Sequence, residues 1–250
     1  MKFDFNGQVA LVTGATRGIG RQIADDLLEL GSRLILTGKD GKQIEKLKAT
    51  LPQATKSRVD YFAVDFTRTS DLEKFLKQIE GYERIDICIN NAGINKINHI
   101  EKTQLSDWDD IHAVNLKSPF VIIRAVSQKM KKNNYGRIVN ISSIYGHISR
   151  ARRSIYSSTK FGLRGLTVAA SNELAQHGIF VNGVSPGFVL TDLTKSILSQ
   201  SEIEQLVSQV PAGRLATPED ISRVVVFLAS SMNSYITGQS IIVDGGYVNV

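Results

Sequence analysis

Short apolar runs alternate with amphipathic stretches along the whole of this chain, and that alternation limits the folds open to it. The runs are VALVT (9–13), RLILT (33–37), VDYFAV (59–64), IDICIN (85–90), RIVNIS (137–142), FVNGVS (180–185) and SIIVD (240–244). Near-continuous apolar character suits strands buried on both faces of a parallel sheet. Between the runs stand helix-like segments: RQIADDLLEL ahead of Gly31, GKQIEKLKATL, SDLEKFLKQI, the long SDWDDIHAVNLKSPFVIIRAVSQKMKK, IYSSTKFGLRGLTVAASNELAQ ahead of Gly178, and PEDISRVVVFLAS. Glycine past a last turn and TPED ahead of a first turn are stop and start signals of helices. The pattern predicts an α/β fold, a doubly wound sheet of about seven strands flanked by helices.

No linker, repeat or low-complexity stretch interrupts the 250 residues, so a single domain spanning 1–250 is expected. Residues 186–210, weakly helical after a strand, read as a mobile segment covering the C-terminal edge of the sheet. The lone cysteine, Cys88, excludes an internal disulfide framework and a multi-cysteine metal site, and its place in IDICIN predicts a packing role. His99, His112, His147 and His177 show no ligand spacing, so no metal is expected. The first residues carry no apolar signal core and no run approaches the roughly 20 residues of a membrane span; a soluble, cytoplasmic protein follows as the expectation. The net charge of +6 fits an anionic cofactor, an acidic partner or nucleic acid. Its densest run, KMKKNNYGR (129–137), reads as cations on the C-terminal end of a helix; with no aromatic or base-reading pattern beside it, nucleic acid is not an expected partner.

The chemistry concentrates in a few motifs. TGATRGIG (13–20) joins the first strand to the first helix: Gly14 permits a tight turn, Gly18 lets backbone approach a pyrophosphate, and Gly20 allows close packing of helix on sheet. Its spacing differs from the common G-x-G-x-x-G, and alone it is equally a structural connection. Tyr156 and Lys160 stand one helical turn apart. A nearby ammonium favours phenolate, which would lower the phenol pKa and let Tyr156 donate a proton to a carbonyl or take one from an alcohol.

TGATRGIG, NNAG (90–93), Ser143, YSSTK (156–160) and PG (186–187), in order and followed by ITGQSIIVDGG (236–246), resemble the classical short-chain dehydrogenase/reductase family over nearly the whole chain. The resemblance implies a Rossmann-type sheet that binds NAD or NADP through Gly14, Thr16, Arg17, Gly18, Ile19 and Gly20, through Asp65 and Phe66 near the adenine, and through Asn91, Ala92 and Gly93. Pro186, Gly187, Val189 and Thr191 would reach the nicotinamide side, and Lys160 the nicotinamide ribose, beside Tyr156. It also implies that Ser143, rather than its neighbour Ser142, orients the substrate oxygen, and that Asn115 holds a water in a proton relay to the lysine. A homotetramer or homodimer is expected on the same ground.

Two choices stay open in the sequence. The second strand ends in LILTGKD, which puts Gly38 where NAD-preferring relatives carry an acid and Lys39 beside it; with Arg17 this favours NADP, although Asp40 offers a carboxylate for a ribose. The C-terminal half resembles 3-oxoacyl-[acyl-carrier-protein] reductases and their sugar and polyol dehydrogenase relatives, but ARRSI precedes the tyrosine where the acyl-carrier-protein enzymes carry small and amide residues. Arg150, Arg152 and Arg153 would grip an anionic substrate or carrier, or form salt bridges at a subunit interface.

Overall fold

In the computed structural model, which describes residues 3–191, 194, 196 and 198–249, seven strands form one parallel sheet in the order β3-β2-β1-β4-β5-β6-β7. The strands are β1 (Val9–Val12), β2 (Arg33–Gly38), β3 (Val59–Ala63), β4 (Ile87–Asn90), β5 (Gly136–Ile141), β6 (Ile179–Pro186) and β7 (Ser240–Val243). Alternate residues of each central strand feed opposite cores. Ala10 and Val12, Leu34 and Leu36, Ile87 and Ile89 face one side, whereas Val9 and Leu11, Ile35 and Cys88 face the other. Both faces are dry, which is why the runs read as continuously apolar.

Helices α1 (Gly18–Glu29) and α2 (Gly41–Thr50) cover the first side together with the helix Pro218–Ala229. Helices α4 (Thr69–Glu80), α6 (Ser118–Asn133) and α7 (Ser154–Leu174) cover the second; α3 (Gln53–Lys56) is a single turn ahead of β3. Thr217 and Asp220 close a capping box with Pro218 at the first turn, as the TPED signal anticipates. The lysines of the basic run 129–137 sit at the C-terminal end of α6, whereas its Arg137 lies buried in β5; Lys129 donates to the carbonyls of Glu80 and Tyr82 at 3.0 and 2.6 Å. Among the described residues no helix is long and apolar enough to cross a membrane.

Two features depart from the sequence pattern. The long helix over 105–133 is not uniform: α5 (Leu105–His112) gives way to a π-helical turn, Ala113–Lys117, before α6. Such turns are rare and are enriched at functional sites; this one carries Asn115, 1% exposed. Within the expected covering segment, Val189 makes a parallel bridge to Ala216, and a capped helix forms over Gln200–Val207. Positions 192, 193, 195 and 197 of that segment lie outside the described residues.

The strand order reverses between β1 and β4. After β3 the chain crosses back to lay β4 beside β1, so the connections leaving the C-terminal ends of β1 and β4 diverge and leave a crevice there. The glycine-rich turn, the NNAG turn and Ser143 all follow C-terminal strand ends.

Candidate active site

The two turns at the switch point are latched by hydrogen bonds. Asn91 donates from Nδ2 to the carbonyls of Thr13 and Gly14 at 2.9 and 3.0 Å, while Thr13 Oγ1 accepts from the amides of Asn91 and Ala92 at 2.9 and 3.0 Å. This geometry requires glycine. A Cβ on Gly20 would lie 2.3 Å from Asn91 Nδ2 and one on Gly14 would lie 2.9 Å from Ala92 Cα, with Gly14 already at φ +64°. Gly18, at φ +56°, faces Thr191 across the turn, a Cβ there being 3.5 Å from Thr191 Cγ2. Gly187 packs against Asp244 just past β7, and Val189 carries the bridge to Ala216. The 186–191 segment thus runs opposite the glycine-rich turn. A narrow, glycine-lined cleft opening on the N-terminus of α1 fits a pyrophosphate, and Ile19 packs behind it against the core.

At the end of β2, a Cβ on Gly38 would meet Thr16 Cγ2 at 2.3 Å, so a larger residue at position 38 requires the Thr16 side chain to move. Lys39 is 2.9 Å from Asp65 Oδ2, and Arg68 lies 3.9 Å from the same oxygen. Asp65 also accepts from the Thr67 amide and hydroxyl at 3.1 and 2.7 Å. Burial alone would raise its carboxyl pKa, but the bonds from Lys39 and Thr67 bring it below the ordinary value. Asp40 is spent on capping α2, accepting from the amides of Lys42 and Gln43. The Phe66 ring belongs to the core, edge-on to Phe75 at 6.4 Å, so only its main chain can border the cleft. The Arg17 guanidinium is exposed, with no ion-pair partner among the described residues.

Tyr156 and Lys160 lie on one face of α7, with the Lys160 ammonium over the Tyr156 ring. The Lys160 ammonium, 3% exposed, reaches to β5 and donates to the Ile141 carbonyl at 2.8 Å, leaving it 5.6 Å from the Tyr156 ring centroid. Burial pushes its pKa down to about 8. Two of its three protons have no acceptor among the described residues.

Burial also pushes the half-buried Tyr156 phenol up, and the groups that pull it back are the Ser143 hydroxyl and the Arg153 guanidinium. The sequence-based expectation that Lys160 lowers the phenol pKa is therefore corrected for the protein alone. Helical spacing sets which face a side chain leaves from, and the buried carbonyl of β5 decides where this one ends.

Ser143 caps the 3₁₀ turn Ile144–Gly146, its Oγ accepting from the Tyr145 amide at 3.1 Å. Ser142 points the other way, donating to the Lys160 carbonyl at 3.4 Å, as alternation along the chain requires. Asn115 uses its carboxamide to brace the loop after NNAG: Oδ1 accepts from the Ile94 amide and Nδ2 donates to the Ile94 carbonyl, each at 2.9 Å, with a further bond to Thr159 Oγ1 at 3.2 Å. Space above Gly93 separates Asn115 from Lys160, since a Cβ there would be 3.6 Å from Asn115 Oδ1 and 3.8 Å from Lys160 Nζ.

The three arginines part company: Arg150 and Arg152 are exposed, whereas Arg153 is half-buried with its guanidinium 5.3 Å from the Tyr145 ring centroid. Arg152 adopts φ +68°, and its carbonyl accepts from the Asn98 amide. His147 is held inside by the hydroxyls of Ser185 and Ser240 at 3.1 and 3.0 Å, and His112 stacks on Trp108 at 3.9 Å.

Thr13, Thr159, Tyr145 and the Ile141 carbonyl are structural members of the site that motif reading passed over. Thr13 and Thr159 stand inside the quoted motifs, but a carbonyl at a strand end leaves no mark in a sequence.

A doubly wound sheet with a glycine-lined switch-point cleft and a serine, tyrosine and lysine gathered beside it defines a nucleotide-dependent oxidoreductase architecture. A family profile described as Enoyl-(Acyl carrier protein) reductase matches residues 14–248, and the chain belongs to the short-chain dehydrogenase/reductase family. It is 40% identical to the 3-oxoacyl-[acyl-carrier-protein] reductase FabG of Aquifex aeolicus over 98% of this chain and 99% of the relative. Against the Vibrio cholerae protein of the same name the identity is 38%, covering 97% of this chain and 98% of the other. The structure of a gluconate 5-dehydrogenase from Burkholderia cenocepacia in complex with NADP and tartrate superposes with a TM-score of 0.89 at 28% identity, covering 99% and 98% of the two chains.

Proposed function

We propose that the protein is an NADP(H)-dependent oxidoreductase that interconverts a carbonyl and a secondary alcohol, with Tyr156 as the group that gives or takes the proton. The observation that carries the reading is the convergence of Tyr156, Ser143 and a buried, incompletely bonded Lys160 at the C-terminal end of β5, beside the glycine-lined cleft. The cleft lined by Gly14, Gly18 and Gly20 would hold a nicotinamide cofactor, whose chemistry is to supply or accept the hydride. Ser143 Oγ holds the substrate oxygen against the Tyr156 hydroxyl. The two Lys160 protons without acceptors among the described residues would donate to ribose hydroxyls, and the ammonium, which lies over the Tyr156 ring, would stabilise the phenolate left when Tyr156 gives up its proton. Asn115, through its bonds to Ile94 and Thr159, positions the loop and the helix that carry these groups.

NADP is favoured over NAD by glycine rather than an acid at position 38 and by Lys39 and Arg17 at that rim of the cleft. The NADP named with the gluconate 5-dehydrogenase supports the same assignment. Reduction of 3-oxoacyl thioesters is the first substrate class, on the strength of the acyl-carrier-protein reductases at 40% and 38% identity. Oxidation of an anionic hydroxy compound is the second, favoured by the arginines before Tyr156. We also assign the enzyme a homodimeric or homotetrameric form: exposed Leu105, Trp108, Phe120, Phe161 and Val168 give α5, α6 and α7 an uncovered apolar character. The decisive assay follows NADPH and NADH oxidation with a panel of acyl thioesters and keto acids. Turnover with NADPH that Tyr156→Phe removes is expected; a Tyr156→Phe enzyme near wild-type rate overturns the assignment.

A further inference from the structure

The half-buried imidazole of His147 has no part in the proton transfer assigned to Tyr156, yet it is tied into the sheet close to that site. Its Nε2 lies 3.1 Å from Ser185 Oγ and 3.0 Å from Ser240 Oγ, and the hydroxyls are 2.9 Å from each other, a closed triangle of polar atoms. Ser185 is fully buried in β6, and Ser240 opens β7. Glycine at position 183 leaves room for the second hydroxyl, since a Cβ there would be 3.2 Å from Ser240 Oγ. Burial and the Arg164 guanidinium both disfavour the charged ring, so it bonds as neutral imidazole. A buried hydroxyl stripped of a partner is costly, which holds the ring in place.

His147 and Ser143 bracket the same 3₁₀ turn. Ser143 caps its start and His147 ends it, and the amides of Gly146 and His147 donate to the carbonyls of Ser143 and Ile144, each at 2.9 Å. Gly146 leaves no slack between them: a Cβ there would be 2.9 Å from both the Lys160 carbonyl oxygen and Ser142 Oγ. Past this turn the chain runs out to exposed Arg150 and Arg152.

We propose that His147 is a positioning residue for Ser143: by clamping the far end of the serine turn to β6 and β7, it fixes the Ser143 hydroxyl against the Tyr156 phenol. The clamp meets β6 at Ser185, next to Pro186, where the segment opposite the glycine-rich turn begins. One ring thus keeps the serine turn in register with the facing wall of the cleft. The demand on that register is strict, because a misplacement of about 1 Å in a reacting group can cost on the order of a hundredfold in rate. The inference rests on the reading of Ser143 and Tyr156 as the groups that hold the substrate oxygen and move the proton.

The test watches the Tyr156 phenol itself, through the Cζ NMR resonance of isotope-labelled tyrosine, assigned by its loss in Tyr156→Phe, and follows NADPH oxidation with acetoacetyl-CoA. Ser143→Ala removes a hydrogen-bond partner of the phenol and should move the resonance. His147→Ala should move it in the same direction. His147→Gln, whose carboxamide brings a polar atom to about the reach of Nε2, should leave it near the wild-type position. In turnover, His147→Ala should lose about tenfold or more in kcat while KM for NADPH stays within about threefold, and His147→Gln should recover most of kcat. If His147→Ala does not fold, Ser185→Ala combined with Ser240→Ala severs the same tie from the sheet side and is expected to give the same shift and loss. A resonance that His147→Ala leaves in place while Ser143→Ala moves it overturns the clamp even if carbonyls are reduced, and so does an unchanged kcat. A resonance indifferent to Ser143→Ala removes the Ser143–Tyr156 pair and the clamp with it. A His147-dependent shift in a protein that reduces no thioester keeps the clamp and sinks the substrate assignment.

Discussion

The buried ammonium of Lys160 makes the free protein less stable than its fold allows, and that cost is measurable. Burial takes the lysine from its ordinary 10.5 to about 8. At about 1.4 kcal/mol per pH unit, keeping the proton inside costs roughly 3 kcal/mol at neutrality. The sign follows from proton counting: between pH 8 and 10.5 the unfolded chain binds more protons at this site than the folded one, so this contribution to stability rises with pH. The penalty is complete below pH 8 and relieved as pH climbs through that window.

Lys160→Met replaces the ammonium with an apolar chain of similar length. It should be more stable than wild type at pH 7 by up to about 3 kcal/mol, less about 1 kcal/mol for the lost bond to the Ile141 carbonyl. By pH 9.5 the advantage should shrink by about 2 kcal/mol. Urea unfolding of both proteins at the two pH values, without cofactor, measures this, and the difference between them cancels every other titrating group, including Tyr156. Excess NADPH should stabilise wild type far more than the variant, because the lysine's unused donors then find partners. A stability gap that is the same at pH 7 and pH 9.5 would refute the buried-charge reasoning.

Three further outcomes are expected. Tyr156→Phe should lower kcat about a thousandfold while NADPH binding, followed by its fluorescence, stays within a few-fold of wild type. Gly38→Asp should lower Tm and fail to create an NAD-dependent enzyme, the clash with Thr16 Cγ2 costing about 1–3 kcal/mol, and Thr16→Ala should restore the stability. Arg137→Lys should destabilise by roughly 2–4 kcal/mol in thermal unfolding. The Arg137 guanidinium, only 6% exposed, donates to the carbonyls of Gly136, Gly178, Ser230 and Asn233 between the Tyr135 and Phe180 rings, an arrangement a lysine cannot reproduce.

The sheet and its motif order were legible because each rests on local signals. A strand buried on both faces must be apolar at consecutive positions, a helix packed on one face must be apolar at helical spacing, and a turn at φ +64° is glycine's territory. All seven strands and the long helices follow from those rules, and with them the arrival of TGATRGIG, NNAG, Ser143 and YSSTK at one edge of the sheet. Contacts between segments far apart in the chain carry no such signature. Only the folded chain ties Lys160 to a carbonyl of β5, sets Thr16 against Gly38, and braces Asn115 against Ile94 and Thr159. The arginines before the tyrosine show the same division. Their charge was plain in ARRSI, but which of them turns inward is set by the Tyr145 ring and by left-handed backbone at Arg152, since a side chain's destination depends on what packs against it.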